Sequence, residues 1–202
     1  MSKIVIIGNS AAGFSCAEYL AKNSQGFKIT LVSQEPSCAY SRNLLVGYLG
    51  GDVKESELYL CPNDFYENNK IDLLKSSKVT RIDIKKQVVV LKDNSKINYD
   101  FLVIASGSRV ELPDVQGTSK EGVFSFYNLQ DVKTVKEKLL IADTVCVIGK
   151  PAVSGRLGEV IARKIKHVKV ISSSRPSDSV DSERIEWIDS QQVSEIIGEG
   201  AS

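Results

Sequence analysis

The sequence predicts an α/β fold: a doubly wound parallel sheet with a β-meander beside it, followed by a shortened second sheet of the same kind. Three stretches carry that prediction. "IVIIGNSAAGFSCAEYLAKN", from Ile4, reads as a buried strand, a glycine turn and an amphipathic helix. "VCVIGKPAVSGRLGEVIARK", from Val145, repeats that grammar. Between them, "KVTRIDIKKQVVVLKDNSKINYD" alternates apolar and polar residues, the period of half-buried antiparallel strands. A strand–helix–strand start closes as a right-handed crossover between parallel neighbours, which makes the sheet doubly wound.

Each element follows from its residues. Residues 3–7 hold an apolar run of the kind covered on both faces of a parallel sheet. From Ala11 to about Asn23, Phe14, Ala17, Leu20 and Ala21 fall on one helical stripe. "FKITLV" is the second strand. Residues 34–50 read as a loop and then a short helix ending at Gly50-Gly51. "CPNDFYENN" is another short helix starting near Pro62 or Asn63, and "IDLLKS" is a strand. The meander turns near Lys85 and Asn94. "FLVIASG" predicts a buried strand ending on glycine. "GVFSFYNLQDVKTVKEKLLIAD" predicts a short strand, then a helix with Val132, Val135 and Leu139 on one face. A strand at 144–148, a helix at about 152–165 and a strand at 167–172 come next. The polar "SSSRPSDSVDSER" reads as a loop, and "QQVSEIIGEG" as one last strand. The expected domains are residues 1–115 and 116–202.

Bulk properties exclude several function classes. The 202 residues are 42% hydrophobic and 25% charged, with a formal net charge of +1. No global field recruits nucleic acid or an acidic membrane surface. The longest apolar runs are strand-sized, far short of the roughly 20 residues that span a bilayer. The N-terminal run is too short for a signal peptide and leads straight into a motif, so a cytoplasmic protein is expected. Cys16, Cys38, Cys61 and Cys146 show no C-x-x-C spacing, and His167 is the single histidine. The expectation is free thiols in a reducing compartment and no metal site.

The first loop, Gly8-Asn9-Ser10-Ala11-Ala12-Gly13, is G-x-S-x-x-G. Its first glycine makes the tight turn out of the strand, and its third lets the helix pack closely on that strand. Ser10 stands where a second glycine would let backbone approach a diphosphate. It is small and keeps its N–H. The helix N-terminus behind the loop offers unpaired N–H groups and a partial positive charge. A nucleotide's ribose hydroxyls call for an acidic residue about 20 residues on, and Glu35 is the candidate; the other reading makes it a solvated loop carboxylate.

The second loop keeps the shape and loses chemistry. Gly149, Pro151 and Ser154 stand where G-x-G-x-x-G would have its glycines. Gly149 can still make the turn. Pro151 has no N–H to donate, and its ring fills the space a pyrophosphate needs, though its fixed φ suits a helix start. Ser172-Ser173-Ser174-Arg175 follows the next strand where an acidic ribose partner would sit. The expectation is a degenerate NAD(P)H site.

Four signatures in order, the Gly8 loop, "CAYSRNLLVGYLGG", "YDFLVIASGSRVELPDVQG" and the Gly149 loop, resemble the pyridine nucleotide-disulfide oxidoreductase superfamily. The resemblance spans about residues 3–172. It implies FAD as cofactor, held by the residues of 8–13, Glu35, Arg42, Asn43, Val79 and the flavin-flanking turn Ala105-Ser106-Gly107. Asn43 falls where relatives carry a redox cysteine, so no cysteine cycles. The "Y-S-R" segment is most similar to the rubredoxin reductase and nitrite reductase large-subunit branch, which implies electron transfer to a carrier protein. Tyr40 and Arg42 would then border the flavin. Gly47 replaces a lysine found in some relatives, and Arg156 a glutamate that usually follows the second loop. The family's C-terminal return to the FAD domain, with its G-D motif, and its dimerisation domain are absent from the sequence, which reads as truncated. Three readings stay open: an FAD-dependent NAD(P)H oxidoreductase or its N-terminal part; a degenerate nucleotide-binding or assembly module, completed by a homo-oligomer or another chain; and a single-Rossmann NAD(P) enzyme. No residue is assigned as catalytic.

Overall fold

The computed structural model describes residues 1–24, 26–177, 179, 182–189 and 193–197. In chain order the elements are β1 (Ser2–Ile7), α1 (Ala11–Asn23), β2 (Phe27–Val32), a 3-10 turn (Arg42–Leu44), α2 (Leu45–Gly50), α3 (Glu55–Leu58) and α4 (Phe65–Asn68). Then come β3 (Ile71–Leu74), β4 (Val79–Asp83), β5 (Val88–Leu91), β6 (Lys96–Asn98), β7 (Phe101–Ile104) and α5 (Leu129–Lys138). The last are β8 (Thr144–Ile148), α6 (Pro151–Ala162), β9 (His167–Ser172) and β10 (Ile185–Asp189). The chain divides into two compact units: Met1–Ser41 with Tyr59–Arg109, and Arg42–Leu58 with Val110–Ser202.

In the first unit four parallel strands stand in the order β3-β2-β1-β7. Side chains alternate across this sheet. Ile4, Ile6, Ile29 and Leu31 bury one face against Phe14 and Ala17 of α1 and Tyr66 of α4. Val5 and Val32 bury the other face against Val89, Leu91 and Tyr99 of the meander. The meander is the antiparallel β4-β5-β6, with left-handed residues at Gln87 and Asn94 closing its turns.

The second unit holds a parallel sheet in the order β10-β9-β8. Helix α6 packs on it, with Gly158 so close to Val170 that a Cβ would overlap the valine side chain. The short α2 ends in a left-handed Gly51, φ 91°, and the Gly51 and Asp52 N–H groups return to the Gly47 carbonyl. Gly50 lets α2 approach α6, because a Cβ there would lie 3.1 Å from Val160. Asp52–Arg163 at 2.8 Å and Lys164 Nζ donating to the Leu49 carbonyl at 2.9 Å tie the same two helices.

Several expectations change. No strand forms over residues 122–126; the Tyr127 N–H and Ser125 hydroxyl instead donate to the Asp131 carboxylate as part of the α5 cap. Strand β7 is not buried: it is the sheet edge, and Phe101 and Ile104 are 57% and 64% exposed. An apolar run reports preference for cover, not the number of neighbours. Helix α6 begins at Pro151 and ends at Ala162. Helix α3 and strand β10 were not expected; β10 pairs in parallel with β9. The expected last strand, 191–200, lies partly outside the described residues. Within them Glu195 forms a parallel bridge with Gln116. Among the described residues no helix is long and apolar enough to cross a membrane, and no cluster of three or more His, Cys, Asp or Glu could hold a metal.

Candidate functional site

The Gly8 loop forms where β1 ends. The Gly8 N–H donates to the Val32 carbonyl at 2.8 Å, and the Ala105 N–H donates to the Ile7 carbonyl at 2.8 Å. Strand pairing thus carries the turn Ala105-Ser106-Gly107 up to Gly8. Gly8 has φ 109°, and a Cβ there would run into the Ala105 carbonyl. Gly13 faces the Gly8 carbonyl so closely that its own Cβ would overlap that oxygen. Both glycines are therefore required for the reasons the motif implies. Gly107 differs: φ is 68°, and a Cβ would meet open space, so only its conformation needs glycine.

Helix α1 has no side-chain cap from Ser10 and no acidic residue in its first turn. Ala11 and Ala12 are exposed. By contrast, α5 closes its own N-terminus with a reciprocal Asn128–Asp131 capping box. The first-turn N–H groups of α1 keep their partial positive charge for an anion. Behind the loop, the Tyr66 hydroxyl donates to Asn9 Oδ1 at 3.0 Å and accepts from the Ala39 N–H at 3.1 Å. Burial, opposed by those two hydrogen bonds, pushes the Tyr66 phenol up to about 12. Asn9 Nδ2 is buried and without a hydrogen-bond partner among the described residues.

Glu35 follows β2 in a turn held by the Ser33 hydroxyl, which donates to the Glu35 carbonyl and accepts from its N–H. The Tyr40 hydroxyl donates to Glu35 Oε2. Tyr40 is buried and its backbone bridges Tyr59, which positions the hydroxyl that holds the carboxylate. Val79 packs in the cluster of Val5 and Val32 at the start of the meander. Arg42 and Asn43 belong to the second unit, in the 3-10 turn, where the Arg42 guanidinium stacks 4.1 Å over the Tyr127 ring.

The Gly149 turn is built differently. Gly149 is not left-handed, and a Cβ would sit 3.5 Å from Ser154 Cβ, an ordinary contact. The Gly149 N–H donates to the Ile171 carbonyl at 3.2 Å, as that of Gly8 does to Val32, so Gly149 makes the strand-to-helix turn as expected, in a conformation that an alanine also fits. The Ser154 hydroxyl is used internally, donating to the Lys150 carbonyl at 2.9 Å. Pro151 is the first helical residue. Gly155 is covered, since a Cβ would lie 2.7 Å from Pro176 and 3.3 Å from Trp187. Arg175, in the serine-rich loop, stacks 5.2 Å from the Trp187 ring and donates to the Ser179 hydroxyl.

The family model described as pyridine nucleotide-disulphide oxidoreductase matches residues 2–194. The chain belongs to this family. Its sequence is 29% identical over 167 residues to the assimilatory nitrate reductase electron transfer subunit of Bacillus subtilis, covering 82% of this chain and 21% of that protein. It is 31% identical over 147 residues to a rubredoxin-NAD(+) reductase of Pseudomonas putida, covering 72% and 38%. Among solved structures, the covalent putidaredoxin reductase–putidaredoxin complex superposes with a TM-score of 0.78 at 26% identity, covering 86% of this chain and 42% of that one. The chain thus spans less than half the length of these family members.

Sequence reasoning named Tyr40 beside the flavin but not as the partner of Glu35, and it missed Tyr66, which anchors Asn9. A buried tyrosine far from a motif carries no local mark of its target.

Proposed function

We propose that the chain is an FAD-dependent NAD(P)H oxidoreductase, or the N-terminal part of one, with an FAD-binding domain over 1–115 and a partial NAD(P)-binding-like domain over 116–202. The observation that carries this reading is the pair of close approaches at Gly8 and Gly13 beneath an uncapped α1 N-terminus. Residues 8–13 hold the diphosphate by backbone N–H groups, and the orphaned Asn9 Nδ2 supplies a side-chain donor in the same loop. Glu35, oriented by Tyr40, takes the ribose hydroxyls. Val79 and the turn Ala105–Gly107 complete the cofactor contacts within the first unit. When bound, FAD would accept an electron pair from a reduced nicotinamide and pass it on, one electron at a time, to a carrier protein. With Asn43 at the position of the redox cysteine, no thiol of that helix takes part. A carrier protein as electron acceptor is supported by what the names of the nitrate, rubredoxin and putidaredoxin system relatives state of those proteins. A cytoplasmic setting agrees with free cysteines.

The NAD(P)H site of this chain is damaged, because Pro151 stands at the first helical position and removes a donor. A second reading, a nucleotide-binding or assembly module completed by another chain, draws on the open β7 edge. One experiment tests the first: the purified chain, incubated with FAD and desalted, is expected to hold flavin absorption in the visible range. A colourless protein overturns FAD binding by this chain. Gly8→Ala serves as the control that removes the site.

A further inference from the structure

Charge is unevenly spread along the chain. The net charge is +1, yet between Lys78 and Lys96 six cations stand against two carboxylates, so the remainder is net acidic. This stretch is the meander β4-β5-β6 of the first unit. All six cations, Lys78, Arg81, Lys85, Lys86, Lys92 and Lys96, are exposed. Among the described residues none of them forms an ion pair. Asp83 and Asp93 serve their own turns instead. Asp83 accepts from the Lys86 N–H at 3.0 Å, and Asp93 accepts from the Ser95 N–H at 2.9 Å and hydroxyl at 2.7 Å. Val89 and Leu91 of β5 face the core, so Val90 and Lys92 lie on the opposite, outer face. Arg81 and Lys96 flank Val90 across the two ladders. The Lys92 N–H donates to the Lys78 carbonyl at 2.8 Å, which sets those two lysines directly opposite each other. Lys78, Arg81, Lys92 and Lys96 thus share one face, and like charges opposed across strands destabilise a sheet. A lysine on an edge strand discourages stray pairing, which accounts for a cation on β4 or β6 but not for Lys92 at the end of the central β5. The turn between β4 and β5 leaves Ile84 79% exposed beside Lys85 and Lys86.

From this we infer that the meander docks on an anionic lipid surface, its cations over the headgroups and Ile84 entering the interface. Negative headgroups supply the counter-charge that the opposed lysines lack. Ile84 decides between polyanions: an apolar side chain gains from the hydrocarbon boundary of a bilayer and nothing from a phosphodiester backbone. The paired residues of the outer face also include no aromatic ring on which a nucleic-acid base could stack. The whole-chain charge predicts no attraction to an acidic membrane; the segregation of that charge supplies a local one. The inference goes beyond the flavin reading and does not rest on it, because neither Ile84 nor any of the six cations is assigned to the cofactor.

The test is co-sedimentation of the full chain, without added flavin, with sucrose-loaded vesicles of phosphatidylcholine alone or with about 30% phosphatidylserine. Binding is expected with the anionic vesicles only, and is expected to be lost in about 0.5 M salt. Lys92→Gln is expected to weaken it about fivefold, the effect of one cation near the surface. The same variant should keep or raise the thermal midpoint, because it relieves the opposed pair, whereas a lysine kept for the fold would lower it. Ile84→Ser is expected to weaken binding to the vesicles as well. Equal binding to both kinds of vesicle, binding to neither, or unchanged binding of Ile84→Ser overturns the inference. So does a loss in Lys22→Gln, an equal charge change on α1, as large as that in Lys92→Gln. Tighter binding of the native chain to duplex DNA than to anionic vesicles at equal phosphate concentration assigns the face to nucleic acid and overturns it too. Should Lys92→Gln fail to fold, Lys86→Gln in the turn decides in its place, with the same fivefold loss expected and unchanged binding overturning the inference. Failure of the chain to hold FAD leaves all of these outcomes readable.

Discussion

Gly13 and Gly149 show how alike two glycines can look in sequence and how differently they act. At Gly13 an added Cβ collides with the Gly8 carbonyl; at Gly149 it meets only Ser154 at ordinary distance. Gly13→Ala is expected to lower the thermal midpoint by roughly 3–10 °C, from about 1–3 kcal/mol of overpacking, and to abolish FAD retention. Gly149→Ala should leave the melting curve unchanged. Tyr66 provides a second contrast. Tyr66→Phe leaves the Ala39 N–H and Asn9 without their partner and is expected to cost about 1–3 kcal/mol in a denaturant titration. It also changes the alkaline limb. The phenol ionises at its ordinary 10.0 in the unfolded chain and at about 12 in the fold, where burial disfavours the charge. The unfolded chain therefore releases this proton first. Tyr66's contribution is complete below pH 10 and is lost as pH climbs toward 12. The difference in stability between native and Tyr66→Phe chains should shrink over that window. A difference independent of pH would exclude it.

At the scale of elements, helix ends separate structure from function. Helix α5 spends Asn128 and Asp131 on its own N-terminus; α1 spends nothing on its own. Asn128→Ala is expected to destabilise by about 1 kcal/mol, whereas Ser10→Ala, which removes no cap bond, should be nearly neutral in a thermal melt and harmless to the fold. The elements that sequence reading placed well are those with a long repeating signal: α1, β2, the meander and α6. Those it missed are short or local. Helix α3 is a single turn, and β10 is a five-residue strand following a turn-rich loop. The strand expected at 122–126 has the apolar alternation of one, but its polar groups serve the α5 cap. Periodicity ranks conformations; competition for hydrogen bonds chooses among them.

For the whole molecule, β7 is the feature with consequences. Its sequence, FLVI, is uncharged and carries no proline or bulge, so the edge lacks the devices that discourage pairing. Light scattering across concentrations should show self-association of the native chain, and Ile104→Lys should reduce it. A monomer at all concentrations would remove support from the assembly reading. Saturating FAD, at about a hundred times its dissociation constant, is expected to stabilise the chain by about 2.7 kcal/mol, with NADH giving no comparable shift. The sequence by itself determined the α/β class, the order of the long elements and the strand–turn–helix form of the first loop, because strand and helix periods and a glycine's conformational freedom are local properties. It also showed Pro151 as an obstacle, since a missing N–H needs no neighbour to matter. Only the tertiary structure decided that Ala105 abuts Gly8, that Tyr66 and Tyr40 hold Asn9 and Glu35, and that Gly149, unlike Gly8, is not left-handed. Each is a contact between residues distant in the chain or a backbone angle set by packing, and such facts exist only once the strands have paired.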